Sequence, residues 1–200
     1  MTKRIKEKKV KIDLVENTLP IKYSEVPEYT KEDYEERIRN VQKFADERGY
    51  SHTIIYGDRE HFSNVHYLTG LDPRFEEALL ILEKDKTPKF ILGNECYVYA
   101  KKINIDIERI LYHPFGLMGQ PDHDPRMLID IFKDSGINKD SKIGLVGWKY
   151  YNSEKHSLEN SILDVPNYIV ETLCQIVDRK NIVNATDIFA DNDFGLRNNW

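Results

Sequence analysis

The residues best equipped for chemistry stand together in "YLTGLDPRFEEALLILE", Tyr67 to Glu83. Asp72, Arg74, Glu76 and Glu77 gather at a Thr-Gly-Leu-Asp-Pro turn that runs straight into the apolar Ala78-Leu79-Leu80-Ile81-Leu82. Two carboxylates whose environments push their pKa values apart can serve as general acid and general base. Strand alternation stands against that reading: if the strand begins at Glu76, the two glutamates point to opposite faces. Residue chemistry therefore favours a Leu-Asp-Pro turn in which Arg74 pairs locally with one glutamate at the mouth of a sheet.

Other chemistries find less support. Neither G-x-G-x-x-G nor G-x-x-x-x-G-K-[ST] occurs among the ten scattered glycines, which argues against a phosphate-cradling loop. Cys96, in "GNECYVYA", could gain reactivity at a helix start, but a buried cysteine on a short helix is the commoner arrangement; Cys174 falls on an apolar helical stripe and reads as core. His113, Asp122, His123 and Asp124 offer metal-ligand types in a loop rich in glycine and proline. Asp124 is already accounted for as a cap before Pro125, so a structural loop is favoured over a metal site. His61 and His66 are five apart and point to different faces of a helix, so a shared metal ion is not expected. The residues alone thus describe a domain with no catalytic centre of its own and no metal ligands.

The elements that would position these groups follow from periodicity. Thr30, with Asp33 three residues on, predicts a helix whose Tyr34, Ile38, Val41 and Phe44 share one face and which Gly49 closes. A strand over Thr53–Tyr56 and a short helix packing Phe62 and Val65 precede the turn, and Ala78–Leu82 reads as a central strand buried on both faces. "KDKTPK" predicts a hairpin to Phe90–Leu92, Asn94 a helix cap, and Arg109–Tyr112 a further strand. Asp124-Pro125 and Asp164-Val165-Pro166 both look like helix starts. The first helix would bury Met127, Leu128, Ile131 and Phe132; the second Ile169, Val170, Leu173, Ile176 and Val177. "KIGLVGW" ends a strand at Gly147, and "NIVNATDIF" is a short extended piece and turn, its formal glycosylation sequon marking the turn and a helix cap. Alternating strands and helices predict an α/β three-layer sandwich with a central mixed sheet.

Composition sets the outer bounds. A chain of 200 residues fills one domain, here taken as 29–200 after an N-terminal arm over 1–28. A net charge of −5 argues against a phosphate-backbone partner, so no nucleic acid is expected, and the basic run Lys3–Lys11 reads as a solvated arm. No apolar run reaches membrane-span length, and no signal-peptide core is visible, so no membrane partner is expected. Two cysteines outside any disulfide or metal spacing point to a reducing, cytoplasmic setting.

Several segments carry a resemblance. "HFSNVHYLTGLDPRFEEALLIL", "GNECYVYA", "GLVGWKYY", "VPNYIVETLC", "NATDIF" and the terminal "GLR" resemble, in that order, the N-terminal domain of the pita-bread metallopeptidases. That family comprises aminopeptidase P, prolidase (Xaa-Pro dipeptidase) and creatinase, and the likeness covers about Tyr29 to Arg197. It implies a ribonuclease-H-like creatinase N-terminal fold. In the family, two divalent metal ions (Mn, Co or Zn) sit in a C-terminal catalytic domain that cleaves before proline. None of that domain is in this chain, which is expected to be an excised domain, or a natural short relative, inactive alone. The resemblance implies a non-catalytic part of a Xaa-Pro peptidase, partnered by the catalytic domain, by a second subunit in a homodimer and by the peptide substrate. It points to Asn64, Tyr67, Asp72, Arg74, Phe75 and Glu76 as contact residues. The alternative is a free-standing module of the same fold that binds protein or peptide.

Overall fold

The computed structural model describes residues 29–122, 124, 126–149 and 162–190. The arm over 1–28, His123, Pro125 and the segments 150–161 and 191–200 lie outside the described residues. Among the described residues six strands form one mixed sheet. They are β1 (His52–Gly57), β2 (Ala78–Glu83), β3 (Lys89–Leu92), β4 (Glu108–Leu111), β5 (Ile143–Val146) and β6 (Ile182–Asn184), in the order β4-β3-β2-β1-β5-β6. β2 runs antiparallel to both β1 and β3, whereas β1–β5, β3–β4 and β5–β6 are parallel pairs. Every strand except β2 therefore delivers its carboxyl end to one edge of the sheet, where β2 begins.

Why the sheet is central is written in its burial. All six residues of β1 are buried, as are Ala78–Leu82 in β2, so both faces need a covering layer. One is supplied by α1 (Lys31–Glu47), α2 (Ser63–Thr69), α3 (Asn94–Tyr99) and α6 (Asp187–Ala190), packing Ile38, Val41, Val65, Leu68, Cys96 and Phe189 onto Ile55, Leu80 and Phe90. The other comes from α4 (Leu128–Asp134) and α5 (Asn167–Cys174), packing Ile131, Phe132, Ile169 and Leu173 onto Ile54, Leu79 and Ile91. The result is the three-layer α/β sandwich that the alternation predicted.

Local signals account for the best-read elements. Thr30 Oγ1 accepts from Asp33 N–H at 3.3 Å while Asp33 accepts from Thr30 N–H at 2.7 Å, a reciprocal cap on α1. Gly49 takes φ +70 just beyond that helix, a conformation that costs a side chain. Other expectations are corrected. Asn94 does not cap α3; Gly93 holds the cap position and has no side chain to offer. Helix α4 starts at Leu128, because Asp124 instead accepts from Arg126 N–H in a preceding turn, and Met127 is exposed. Asp164 does not open α5: its carboxylate accepts Trp148 N–H at 2.9 Å and also Lys149 N–H, tying the end of β5 to the approach of α5. Phe62 is half-buried rather than inward, and α5 ends before Ile176, which is also half-buried. The sequon asparagine, Asn184, is buried, donating to Ile162 O at 2.9 Å and accepting from Thr186 N–H.

At the opposite edge of the sheet, His52 is almost fully enclosed, its Nε2 3.3 Å from Ser135 O and 3.9 Å from Glu83. Burial lowers its pKa and outweighs the opposing pull of Glu83. A base whose folded pKa is depressed stabilises fully above the unfolded value, about 6.5, and that stability is lost as pH falls through the folded value. The urea midpoint of the wild-type chain should thus fall more steeply between about pH 7 and about pH 5 than that of His52→Gln.

Candidate functional site

The turn between α2 and β2 is built residue by residue. Gly70 takes φ +72 and donates its N–H to His66 O at 2.8 Å, ending α2 where a Cβ would be strained. Asp72 Oδ1 then accepts Arg74 N–H at 2.8 Å, and Glu76 N–H closes onto Pro73 O at 3.0 Å. Between these two bonds Arg74 is forced to φ +61, a region that an L-residue enters at a cost of about 1 kcal/mol. Arg74 and Phe75 project from the apex into solvent, Phe75 with 48% of its surface exposed.

Glu76 turns the other way and is 2% exposed. Its Oε1 accepts Glu95 N–H at 3.0 Å and its Oε2 accepts Cys96 N–H at 2.7 Å. Those are the second and third amides of α3, the groups that a cap side chain normally satisfies. Gly93 leaves room for this: a Cβ there would lie 2.8 Å from the Glu76 carboxyl. The carboxylate therefore acts as a remote helix cap, aligned with the positive end of the helix dipole. Cys96 is buried in the same corner, its thiol donating to Pro73 O at 3.1 Å; burial and then Glu76 push its pKa up, so it is no nucleophile.

Glu77 points to the opposite face, although both glutamates lie in the turn ahead of β2, which begins at Ala78 rather than at Glu76. Its two oxygens accept the Tyr56 and Tyr168 hydroxyls, each at 2.9 Å. Burial, followed by the Glu77 charge, raises both phenols far above the ordinary tyrosine range and keeps them protonated donors. Both glutamates are thus occupied by the fold, on opposite sides of it. The expected pairing of Arg74 with one of them is absent: among the described residues its guanidinium joins no ion pair or hydrogen bond.

The remaining sequence candidates are distributed unequally. Asn64 is buried and donates to Gly147 O at 2.8 Å, joining α2 to the end of β5. Tyr67 flanks Arg37, whose guanidinium lies 4.4 Å from its ring and 4.0 Å from that of Tyr29, and donates to Tyr67 O. Asp72, Arg74 and Phe75 come together with Glu95, Cys96 and Tyr99 around a cavity of about 360 Å³. Exposed Phe75 and Tyr99 form its apolar side, and Asp72 and Glu95 supply negative charge. No sequence signal marked Tyr99, Tyr168 or the pairing of Asn94 with His113 at 2.6 Å, since each depends on contacts distant in the chain. Among the described residues no group of three or more His, Cys, Asp or Glu is placed to hold a metal ion. His113 is held by Asn94, and Asp122 and Asp124 close local turns.

Comparison with known proteins gives a likeness of fold. No family model matches the sequence, and no curated protein matches it. Solved structures do. The prolidase from Pyrococcus horikoshii OT3 is 15% identical over 76% of this chain, with a TM-score of 0.49. The creatinase/prolidase-like N-terminal domain of a Corynebacterium diphtheriae protein is 15% identical over 76% of this chain and 93% of its own, with a TM-score of 0.47. The aminopeptidase P structure from Streptococcus thermophilus is 15% identical over 77% of this chain and 93% of its own, with a TM-score of 0.48. The chain spans about a third of the prolidase, 33% of its length. It is similar in fold to creatinase/prolidase N-terminal domains, at low sequence identity.

Two substitutions test the geometry. Glu76→Ala should cost about 2 kcal/mol or more in urea unfolding, because two buried amides lose their acceptor, and should speed thiol labelling of Cys96 relative to Cys174. Arg74→Gly should raise stability by about 1 kcal/mol by relieving the left-handed backbone, whereas Arg74→Ala should not.

Proposed function

We propose that the chain is a non-catalytic N-terminal domain of a metal-dependent Xaa-Pro peptidase. In this reading the turn at Tyr67–Glu77 is a contact wall for the substrate's far end or for a second subunit. The observation that carries the reading is the division of labour inside the turn. Glu76 and Glu77 are consumed by the α3 cap and the two tyrosines, while Arg74 and Phe75 are held outward over an open cavity. Residues held outward at a backbone cost are arranged for something outside the domain. The ordered segments that resemble the pita-bread metallopeptidases supply the identity of that partner: a catalytic domain with two divalent metal ions, working as a homodimer. A reducing cytoplasmic setting belongs to the same reading, and both cysteines are free.

A second reading draws on the same cavity. Its apolar side at Phe75 and Tyr99 and its two carboxylates suit a peptide carrying apolar and basic groups, as a free-standing binding module would take. The two are separated by experiment. The 200-residue chain supplied with Mn²⁺ should not hydrolyse Xaa-Pro dipeptides. Joined to its catalytic domain, the Arg74→Ala and Phe75→Ala variants should each change KM about tenfold or weaken the dimer seen by sedimentation. Unchanged kinetics together with unchanged mass would overturn the contact role, and tight peptide capture by the chain alone would favour the module.

A further inference from the structure

A second crevice at the same edge of the sheet is not used by the turn at Tyr67–Glu77. β1 and its parallel neighbour β5 end side by side at this edge. Small ligands of α/β proteins settle in crevices outside the carboxyl ends of parallel strands. Here that position holds a cavity of about 210 Å³, lined by Glu60, His61, Ser63, Trp148 and Phe189 among others.

The polar groups of the cavity are sorted into those committed and those available. Asn64 donates to Gly147 O, and Thr186 Oγ1 accepts Gly147 N–H at 3.1 Å. His61 Nδ1 lies 3.1 Å from both oxygens of Asp58, which also accepts the backbone N–H groups of Glu60 and His61. Burial alone would raise the Asp58 pKa, but the bonds from His61 and Glu60 outweigh it and hold the carboxyl below its usual range. An ionised carboxylate only accepts, so Nδ1 carries the proton and Nε2 is the ring's remaining polar atom. The imidazole is stacked on Trp148 at 4.7 Å and 24°, and Trp148 is itself 52% exposed. Around this stack the charged groups are Asp58, the exposed Arg59 and Glu60 on its own loop, Asp164 across the backbone of Trp148, and Lys149 on the indole. Three carboxylates stand against two cations, and the exposed Glu60 carboxylate has no partner among the described residues.

We propose that this crevice binds a small ligand carrying a cationic nitrogen donor on an apolar body, an alkylammonium being the simplest. The nitrogen is met by His61 Nε2 and Glu60, and the body lies against Trp148 and Phe189. This inference stands apart from the contact role of the turn. It is tested on the ¹⁵N-labelled 200-residue chain by NMR titration with n-butylammonium chloride, with sodium butyrate at equal ionic strength as the opposed charge. A saturable shift of the Trp148 indole N–H and the Asn64 side-chain amide is expected with n-butylammonium. Its affinity should exceed that for butyrate by about tenfold or more and fall about tenfold in Glu60→Gln and in His61→Gln. Glu60→Gln changes an exposed side chain and leaves the Asp58 bonds intact, so loss of binding there is not loss of fold. No saturable shift, an equal response to butyrate, or undiminished affinity in both variants would overturn the proposal.

Discussion

The burial of the Glu76 carboxylate is the constraint on which this edge of the sheet, where β2 begins, depends. A charge taken out of water must be met by strong donors, and here the two amides of α3 supply them. The dependence runs both ways. α3 has six residues, far below the length at which a helix is stable on its own, and its cap position is a glycine. The helix exists because a residue from another element holds its first turn and because Cys96 packs beneath it. With Glu76 fixed on one side, Glu77 meets Tyr56 and Tyr168 on the other, and the turn before them is exposed at Arg74 and Phe75.

What was legible in the sequence follows this distinction between near and far partners. Helix α1 could be read because Thr30 and Asp33 cap each other and Gly49 follows the last turn, all within one stretch of chain. β2 could be read because a run apolar on both faces has few alternatives in an α/β protein. The opposite facing of Glu76 and Glu77 was expected from a strand beginning at Glu76, whereas β2 begins only at Ala78 and the two glutamates lie in the turn. What they face could not be read, since the α3 amides and Tyr168 arrive from elsewhere in the chain. Asp124 and Asp164 were misread for a related reason. An aspartate before a proline serves a tight turn or a distant backbone amide as readily as a helix start, and nothing local separates these uses. The expected Arg74–glutamate pair failed because both carboxylates had already found partners.

The parallel pairing gathers strand ends at one edge. Five strands end there and one begins, so its loops can vary while the pleated core below keeps its register. Phe75, Trp148 and Tyr168 all break the surface along it, and the Trp148 N–H and the Tyr168 hydroxyl are each tied to a carboxylate, of Asp164 and of Glu77. The far edge carries the buried His52 and short turns instead.

The close approach of Gly93 to Glu76 has a consequence for how the sequence can drift. Any side chain at 93 would press on the carboxyl, and any shorter residue at 76 would strand the amides that glycine leaves uncapped. Neither position can change first without loss, so a change at one calls for a compensating change at the other. The side chains of Arg74 and Phe75, a few residues away and exposed, are free to be rewritten. A lineage could exchange what the turn touches many times over while the pair beneath it stayed unaltered.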